Sequence, residues 1–260
     1  RDPKVGRDLA RIPGERIGRE LLKALEGDIG LFLDLLNGTG LLGIVLPEIE
    51  ALKGIEQDPE KHPEGDAYIH TRLCLGTVQK LTGDPATRAA ALLHDVAKAR
   101  ARKGETGTAA FAGHEQDGAD LVRAMACRWA WPQDFSETVT SLVRWHRIPT
   151  AAWPSDGLTR QIRAYGGKWL ERLFVLGYAD VLAGSGRLMP WMENRARALA
   201  ALFRLEQAGR LLDGREVMEL LGLPEGPRVG EILARLDEAV ADGEVTTPAE
   251  ARAWLIRNRT

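Results

Sequence analysis

Hydrophobic positions recur every three to four residues along most of the chain, which is the period of an α-helix that buries one face. Between residues 15 and 25, for example, Ile17, Leu21 and Leu25 fall on one face, and Gly27 follows as a helix-terminating residue. Alternating β-branched runs bounded by hairpin turns, which are typical of strands, are missing. The pattern predicts an all-α protein.

The same period predicts successive helices separated by Gly, Pro and polar breaks. The main ones cover about residues 66–82, 85–98, 114–129 and 133–146, with two more ending near residues 183 and 205 and three short ones within 211–260. Short helices are also predicted before residue 60, where they form a neck. We therefore predict a helical neck at residues 1–60, a helical body at 61–190 and a C-terminal helical subdomain at 191–260.

Composition excludes several classes of protein. No segment approaches the roughly 18 uninterrupted apolar residues of a membrane helix, and the first 20 residues are too charged for a signal peptide, so we expect no membrane association. Two cysteines without a CxxC pair exclude zinc fingers, ferredoxins and disulfide frameworks, and they favour a reducing cytoplasm. The chain begins at Arg1 rather than Met, which suggests a piece of a longer polypeptide.

Charge is unevenly distributed although the net charge is only −2. Residues 98–172 carry 12 Lys+Arg and 8 Asp+Glu, whereas residues 215–250 carry 3 and 9. The basic stretch leaves a polyanionic substrate open, which the net charge alone would have discouraged.

Two carboxylates fall in strongly apolar surroundings. Asp95 follows His94 in the segment AALLHDVAK, and Asp180 lies in FVLGYADVL. A buried carboxylate is costly unless it is paired or bound to a cation. A metal ion shared by these residues would meet that need, and an arginine beside Asp180 would serve as well.

Histidines supply the rest of a candidate metal site. Any one of them, taken singly, is more often a hydrogen-bonded core residue, but their joint order with the two aspartates favours a site for a divalent cation. Imidazole and carboxylate suit Mn, Ni, Zn, Fe or Co, and one or two ions are open. The predicted ligands are His70, His94, Asp95, His114, His146 and Asp180.

This order of residues resembles the HD phosphohydrolase superfamily, with His114 and His146 similar to the extra ligands of its two-metal branch. The flanking segments resemble the neck and HD body of bacterial class II tRNA nucleotidyltransferases and poly(A) polymerases, and the HD phosphoesterase of RNA end-healing proteins. They are GRDLARIPGERIGRELLKAL, GLLGIVLPEIEAL, HPEGDAYIHT, AALLHDVAK, FAGHE, YADVLAGSG and LGLPEGPRVGEIL.

The resemblance implies a metal-dependent phosphoester hydrolase in which Asp95 anchors or bridges the metal. A divalent cation there would activate water and offset charge on phosphoryl oxygens. The implied substrates are RNA ends with 2′,3′-cyclic, 2′- or 3′-phosphates, or nucleotides, and a nucleoside triphosphate or alarmone hydrolase is also open.

An alternative is the tRNA-binding neck and body of a CCA- or A-adding nucleotidyltransferase. The paired aspartates of that family's catalytic head are absent, as is the GxxxxGK[ST] loop of a polynucleotide kinase. We therefore expect no nucleotide addition by this chain itself. A nucleotidyltransferase domain or a polynucleotide kinase domain is a candidate fusion partner in a longer protein.

Several basic residues are candidate substrate contacts. Lys98 in HDxxK resembles a phosphate-binding lysine, and it fits a solvated cation at a helix C-terminus equally well. His62 precedes a proline in a loop, where it is either structural or a substrate contact. Guanidinium groups suit phosphate oxygens, so we also nominate Arg100, Arg102, Arg144 and Arg147. Asp66 and Glu115 are candidates for orienting metal-bound imidazoles.

Overall fold

A computed structural model describes residues 12–100, 111, 113–151 and 157–258 of the chain. Within these residues the structure is helical, with one isolated antiparallel bridge, Glu56–Asp66, and no sheet. The all-α prediction is confirmed. None of the described helices is both long enough and apolar enough to cross a membrane.

The helices are α1 (Gly14–Glu26), α2 (Ile29–Thr39), α3 (Leu42–Val45), α4 (Pro47–Glu50), α5 (Ala67–Leu81), α6 (Pro85–Leu93), α7 (His114–Arg128), α8 (Gln133–Trp145), α9 (Leu158–Ala183), α10 (Met189–Ala208), α11 (Gly214–Leu221), α12 (Pro227–Asp242) and α13 (Pro248–Arg257). Short 3-10 helices cover Val96–Arg100 and Ile148–Thr150.

Polar side chains fix where several helices begin. Asp66 accepts hydrogen bonds from the backbone of Tyr68 and Ile69 at the start of α5. Asp84 caps α6 in the same way, ahead of Pro85 at the first helical position. These side chains satisfy backbone N–H groups that the first turn of a helix leaves unpaired.

The segment predicted as one helix over residues 85–98 is two elements. Helix α6 ends at Leu93, and the chain tightens into the 3-10 helix that begins at Val96. His94, the C-cap of α6, donates from Nδ1 to the carbonyl of Ala91 at 2.9 Å. That carbonyl belongs to the last turn of α6, where backbone acceptors lack helical partners. The ring therefore stabilises the helix end, and the prediction was wrong about its position.

Contacts divide the chain into two compact units, residues 1–150 with 172–191 and residues 151–171 with 192–260. In the first unit α7 packs on α8, and α6 packs on α5 and α8. Its core includes Leu93, Val122 and Leu142, each fully shielded from solvent. The predicted three-part division of the chain stays a prediction.

The second unit has its own core and its own polar contacts. Leu205 and Leu236 are buried in it, and α11 packs on α12 and α13. Arg163 on α9 donates to Asp237 on α12, 2.8 Å from Nη2 to Oδ1. Three residues further on, α9 is interrupted at Gly166, whose φ of 71° and ψ of −170° favour glycine.

The predicted neck helix α1 packs closely on the body within the first unit. A Cβ added to Gly14 or Gly18 would overlap the backbone carbonyls of Arg128 and Trp129, so only glycine permits this approach. At the other end of α1, the buried Arg88 guanidinium donates to the carbonyls of Leu25 and Gly27, each at 2.9 Å. An arginine of α6 thus caps the C-terminus of the neck helix.

We predict that Arg88→Met lowers the free energy of unfolding by about 2–4 kcal/mol, because the buried carbonyls of the α1 terminus lose their charged donor. Urea denaturation followed by circular dichroism measures the change. Arg19→Met, on the exposed face of α1, is the matched control and is expected to leave stability unchanged. Equal stability of Arg88→Met and the wild type would contradict the proposed capping.

Candidate metal centre

The six predicted metal ligands lie together in the first unit, and we call them the His–Asp cluster. They come from three helices and from the turns that follow two others. His70 lies on α5, His94 and Asp95 follow α6, His114 is the first residue of α7, His146 follows α8, and Asp180 lies on α9. Asp95, at 2% exposure, is the most central acid of the cluster.

The two carboxylate oxygens of Asp95 face different histidines. Oδ1 lies 3.3 Å from Nε2 of His114 and 3.9 Å from Nε2 of His146. Oδ2 lies 3.2 Å from Nε2 of His94 and 3.8 Å from Nε2 of His70. One carboxylate is therefore shared by two sets of imidazoles, an arrangement that suits a bridging ligand.

Asp180 completes the set on the Oδ2 side. Its Oδ1 accepts a hydrogen bond from Nε2 of His70 at 2.9 Å and lies 3.9 Å from Nε2 of His94. Among the described residues, no arginine pairs with Asp180. The sequence left two partners possible for the buried Asp180, a metal ion or an arginine. In the structure its neighbours are the imidazoles of His70 and His94.

Backbone contacts fix the orientation of three rings. Nδ1 of His94, His114 and His146 donates to the carbonyls of Ala91, Phe111 and Val143, respectively, at 2.7–2.9 Å. A carbonyl only accepts, so Nδ1 of each ring carries the proton and Nε2 is left to face the centre. Neutral imidazole in this tautomer offers an Nε2 lone pair, which is the form that binds metal.

The inward nitrogens of His94, His114 and His146 are not satisfied by protein groups alone, whereas Nε2 of His70 donates to Asp180. Nε2 of His94 is buried and, within the described part of the chain, has no hydrogen-bond partner. Nε2 of His114 and Nε2 of His146 lie 3.3 Å apart, so a proton or a cation must separate their lone pairs. These buried imidazole nitrogens have unpaired lone pairs and lie beside carboxylate oxygens. Such a set of ligand atoms fits a divalent cation.

The charges of the cluster shift its pKa values in opposite directions. Burial alone would lower the pKa of His70, but its hydrogen bonds to Asp180 and Glu64 raise it to about 9. Burial, together with the charges of His94 and His114, lowers the pKa of His146 to about 4. Burial opposes ionisation of Asp95, yet nearby His94 and Lys98 hold its pKa well below the usual range. The centre therefore keeps its carboxylates ionised at neutral pH.

Glu64, which sequence reasoning did not nominate, orients two histidines. Its Oε1 accepts from Nδ1 of His70 at 2.5 Å and from Nδ1 of His62 at 2.9 Å. Metal-binding imidazoles commonly need such an outer acceptor. The position of Glu64 in the HPEGD segment, shortly before His70, is the sequence feature that could have indicated this role. Asp66, which we had nominated for this role, instead caps α5 and accepts from the backbone of Gly54.

A cleft of about 330 Å³ opens onto the His–Asp cluster. Its lining contains Asp95, His114, His146 and Asp180, so the centre is accessible to a ligand. The cationic side chains in the lining are Lys61, Lys98, Arg147 and Arg187. The cleft therefore combines the candidate metal centre with positive charge.

The nominated substrate contacts divide into two groups. Lys98, Arg147 and His62 line the cleft. Arg100 and Arg144 are not among its described lining residues, and Arg144 lies over the ring of Trp145 at 5.0 Å. Arg102 falls outside the residues that the structure describes. Arg187, which sequence reasoning missed, lines the cleft, and all these roles stay predictions.

Comparison with protein families confirms the predicted resemblance. Residues 67–184 match the HD domain, and this stretch contains all six residues of the His–Asp cluster. Residues 3–53 match the family described as the probable RNA and SrmB-binding site of polymerase A. The chain thus resembles an HD domain over residues 67–184 and that polymerase family over residues 3–53.

Curated relatives narrow the comparison further. The chain is 36% identical over 270 residues to the A-adding tRNA nucleotidyltransferase of Deinococcus radiodurans, covering 98% of this chain and 61% of the relative. It is 36% identical over 254 residues to the CC-adding tRNA nucleotidyltransferase of Thermus thermophilus, covering 93% and 56%. A multifunctional CCA protein of Thioalkalivibrio sulfidiphilus is 37% identical over 136 residues, covering 51% and 32%. The chain spans little more than half of the first two relatives.

We predict that Mn²⁺ stabilises the wild-type chain by about 2.7 kcal/mol at a concentration of 100 times its Kd. Asp95→Ala is expected to abolish this gain, because it removes the carboxylate shared by both sets of imidazoles. Asp120→Ala is the matched control and keeps the gain, since Asp120 is exposed on α7 and contacts Gln116 and Arg123 rather than the cluster. Urea denaturation with and without metal, and metal content by mass spectrometry, check both variants. Wild-type metal content in Asp95→Ala would show that the cluster is not a metal centre.

Proposed function

We propose that this chain is the tRNA-binding neck and HD body of a tRNA nucleotidyltransferase. The observation that carries the proposal is the alignment with A-adding and CC-adding enzymes, which runs through 98% and 93% of this chain. It includes the RNA-binding-type segment and the HD domain together. Metal-dependent hydrolysis, our first prediction, takes second place because these relatives are named for nucleotide addition.

The proposal includes a catalytic domain elsewhere in a longer polypeptide. The relatives extend well beyond the part that this chain matches, and the paired aspartates of a catalytic head are missing here. The role of the chain is then to hold tRNA rather than to transfer the nucleotide. Cys74 and Cys127 are free thiols, which fits the cytoplasmic setting that goes with this role.

The neck carries exposed cations that would bind the phosphates of a tRNA. Arg16, Arg19 and Lys23 are exposed on α1, at spacings of three and four residues that bring them onto one helix face. We call them the neck stripe. Arg19 and Lys23 make only exposed pairs with acidic residues of their own helix, and such pairs are weak enough to exchange for phosphates.

We predict salt-dependent tRNA binding by the intact chain. Replacing all three cations of the neck stripe by Gln is expected to reduce the slope of log Kd against log salt by about 2–3, because each lost phosphate contact removes close to one released counterion. Filter binding or fluorescence anisotropy over a salt series measures the slope.

Two controls bound this experiment. Arg123→Gln changes an exposed arginine outside the neck and is expected to leave tRNA affinity unchanged. Asp95→Ala is expected to leave it unchanged as well, because the buried carboxylate cannot reach phosphates on the surface. An unaltered slope in the neck variant would exclude the stripe, and failure of the wild type to bind tRNA would refute the proposed function.

The second candidate function is phosphoester hydrolysis at the His–Asp cluster. It is favoured by one specific observation, the cleft that joins the cluster to Lys61, Lys98, Arg147 and Arg187. The six cluster residues would hold one or two divalent cations, which would supply Lewis-acid and water-activating chemistry. We propose the substrates that the resemblance implies, RNA ends with 2′,3′-cyclic, 2′- or 3′-phosphates.

The protein groups have defined tasks in this reaction. Asp95 lies within 4 Å of all four imidazoles. Backbone carbonyls bonded to Nδ1 hold three of the rings in place, and Glu64 holds the ring of His70. Lys98, whose Nζ lies 2.7 Å from Oδ2 of Asp95, stands between the cluster and the cleft and would offset phosphate charge. Arg147 is held by Glu115 at 2.9 Å and presents its remaining donors to a bound anion.

We predict that the Mn²⁺-loaded chain opens a 2′,3′-cyclic phosphate at an RNA end, and that Asp95→Asn lowers kcat/KM by about a hundredfold or more, which corresponds to roughly 2.7 kcal/mol of lost transition-state stabilisation. Chromatography of the labelled RNA measures the rate. Arg123→Gln serves as the control with wild-type rates. Hydrolysis by Asp95→Asn at the wild-type rate would overturn the mechanism, and inactivity of the wild type with all five metals would leave tRNA binding as the function.

A further inference from the structure

A buried glutamine on the wall of the cleft has an unused donor. Gln57 is 8% exposed and lines the cleft beside Lys98. Its Oε1 accepts a hydrogen bond from Nζ of Lys98 at 2.6 Å. Its Nε2 is buried and has no hydrogen-bond partner among the residues that the structure describes.

Hydrogen-bond chemistry determines which end of the Gln57 side-chain amide lacks a partner. An ammonium group only donates, so the atom that faces Lys98 must be the amide oxygen. The NH₂ group is therefore the end without a partner, and exchanging the two amide atoms would place two donors against each other. A desolvated NH₂ without an acceptor is unfavourable, and a ligand acceptor in the cleft would remove the penalty.

The backbone holds Gln57 in this position. Its N–H donates to the carbonyl of Gly65 at 2.9 Å, and the neighbouring residue Glu56 forms the bridge with Asp66. Gln57 thus stands at the base of a closed loop whose far side carries His62 and Glu64. The side chain is positioned before any ligand binds, which lowers the entropic cost of using it.

We propose that Gln57 is a phosphate-binding residue, with Nε2 donating to a non-bridging oxygen of the phosphoester in the cleft and Oε1 holding the Lys98 ammonium beside it. In the described part of the chain, four cations line the cleft, Lys61, Lys98, Arg147 and Arg187, against three carboxylates, those of Asp58, Asp95 and Asp180. A divalent cation held by Asp95 and Asp180 would add positive charge, so the loaded cleft favours an anionic acceptor. Amide and ammonium then form a pair of adjacent donors for one phosphate. This inference rests on the proposed hydrolytic site and adds a residue that contacts its substrate.

Orthophosphate binding to the metal-loaded chain, measured by calorimetry, tests the contact without requiring turnover. Gln57→Glu keeps an acceptor for Lys98 but replaces the donor with an anion, and it is expected to raise the phosphate Kd by about 10- to 100-fold. Gln57→Met removes both contacts, with an expected rise of about tenfold. Gln133→Met is the matched control, since that exposed amide bonds only to Glu137 on α8.

Nuclear magnetic resonance gives a direct readout. With diamagnetic Zn²⁺ in the chain, phosphate is expected to shift the side-chain NH₂ resonances of Gln57 and to leave those of Gln133 in place. Metal content and unfolding midpoint of Gln57→Glu should match the wild type, which excludes a general structural effect.

The outcomes separate this inference from the function on which it rests. Equal phosphate affinity of wild type and Gln57→Glu, or absence of phosphate binding by the wild type, would overturn the contact. Phosphate binding that depends on Gln57, in a chain that hydrolyses no phosphoester, would refute hydrolysis and support the contact.

Discussion

The buried charge of Asp95 is the constraint around which the first unit is arranged. A carboxylate at 2% exposure is unfavourable without cationic or hydrogen-bonding partners, and four imidazoles and Lys98 surround it. Three of these partners come from helix ends: His94 and His146 cap the C-termini of α6 and α8, and His114 begins α7. In the two C-terminal positions, Nδ1 pairs with a carbonyl that the last helical turn leaves free. The same ring therefore terminates a helix and presents Nε2 to the centre.

Close packing makes the neck part of this arrangement. Gly14 and Gly18 let α1 approach the end of α7, and Arg88 ties the other end of α1 to α6, the helix that leads directly into His94. Helix α1 and the candidate metal centre consequently belong to one packed unit. The chain segment between α4 and α5 strengthens this link, because it carries Gln57 and His62 into the cleft wall.

The proximity of the six residues of the His–Asp cluster was predictable from sequence because aspartates and histidines are rare in apolar helical segments, and their role as metal ligands stays a prediction. Asp95 and Asp180 stand out against Leu, Val and Ala neighbours, and the order of the histidines reduces the alternatives. Helix periodicity likewise gave the all-α class. The end of α6 was missed because neither Gly nor Pro follows Leu93, and the helix ends through a side-chain bond from His94. Gln57, Glu64 and Arg187 were missed because loop residues have no periodic pattern and meet only in three dimensions. Arg144 illustrates the opposite error. It was nominated because it lies close to His146 in sequence, but it is not among the described residues that line the cleft.

The two candidate functions impose different physical demands, and the molecule meets them with different residues. Holding tRNA requires many exposed cations whose contribution depends on counterion release, and α1 offers these away from any buried group. Hydrolysis requires few, rigid and desolvated groups, because electrostatic stabilisation is strongest where water is excluded and donors need no reorganisation. The Asp95, Lys98 and Gln57 side chains are each less than 9% exposed, and each is held by neighbours. A surface that recruits RNA and a cleft that accommodates one phosphoester are therefore compatible within one unit, and substitutions in one set of residues need not disturb the other.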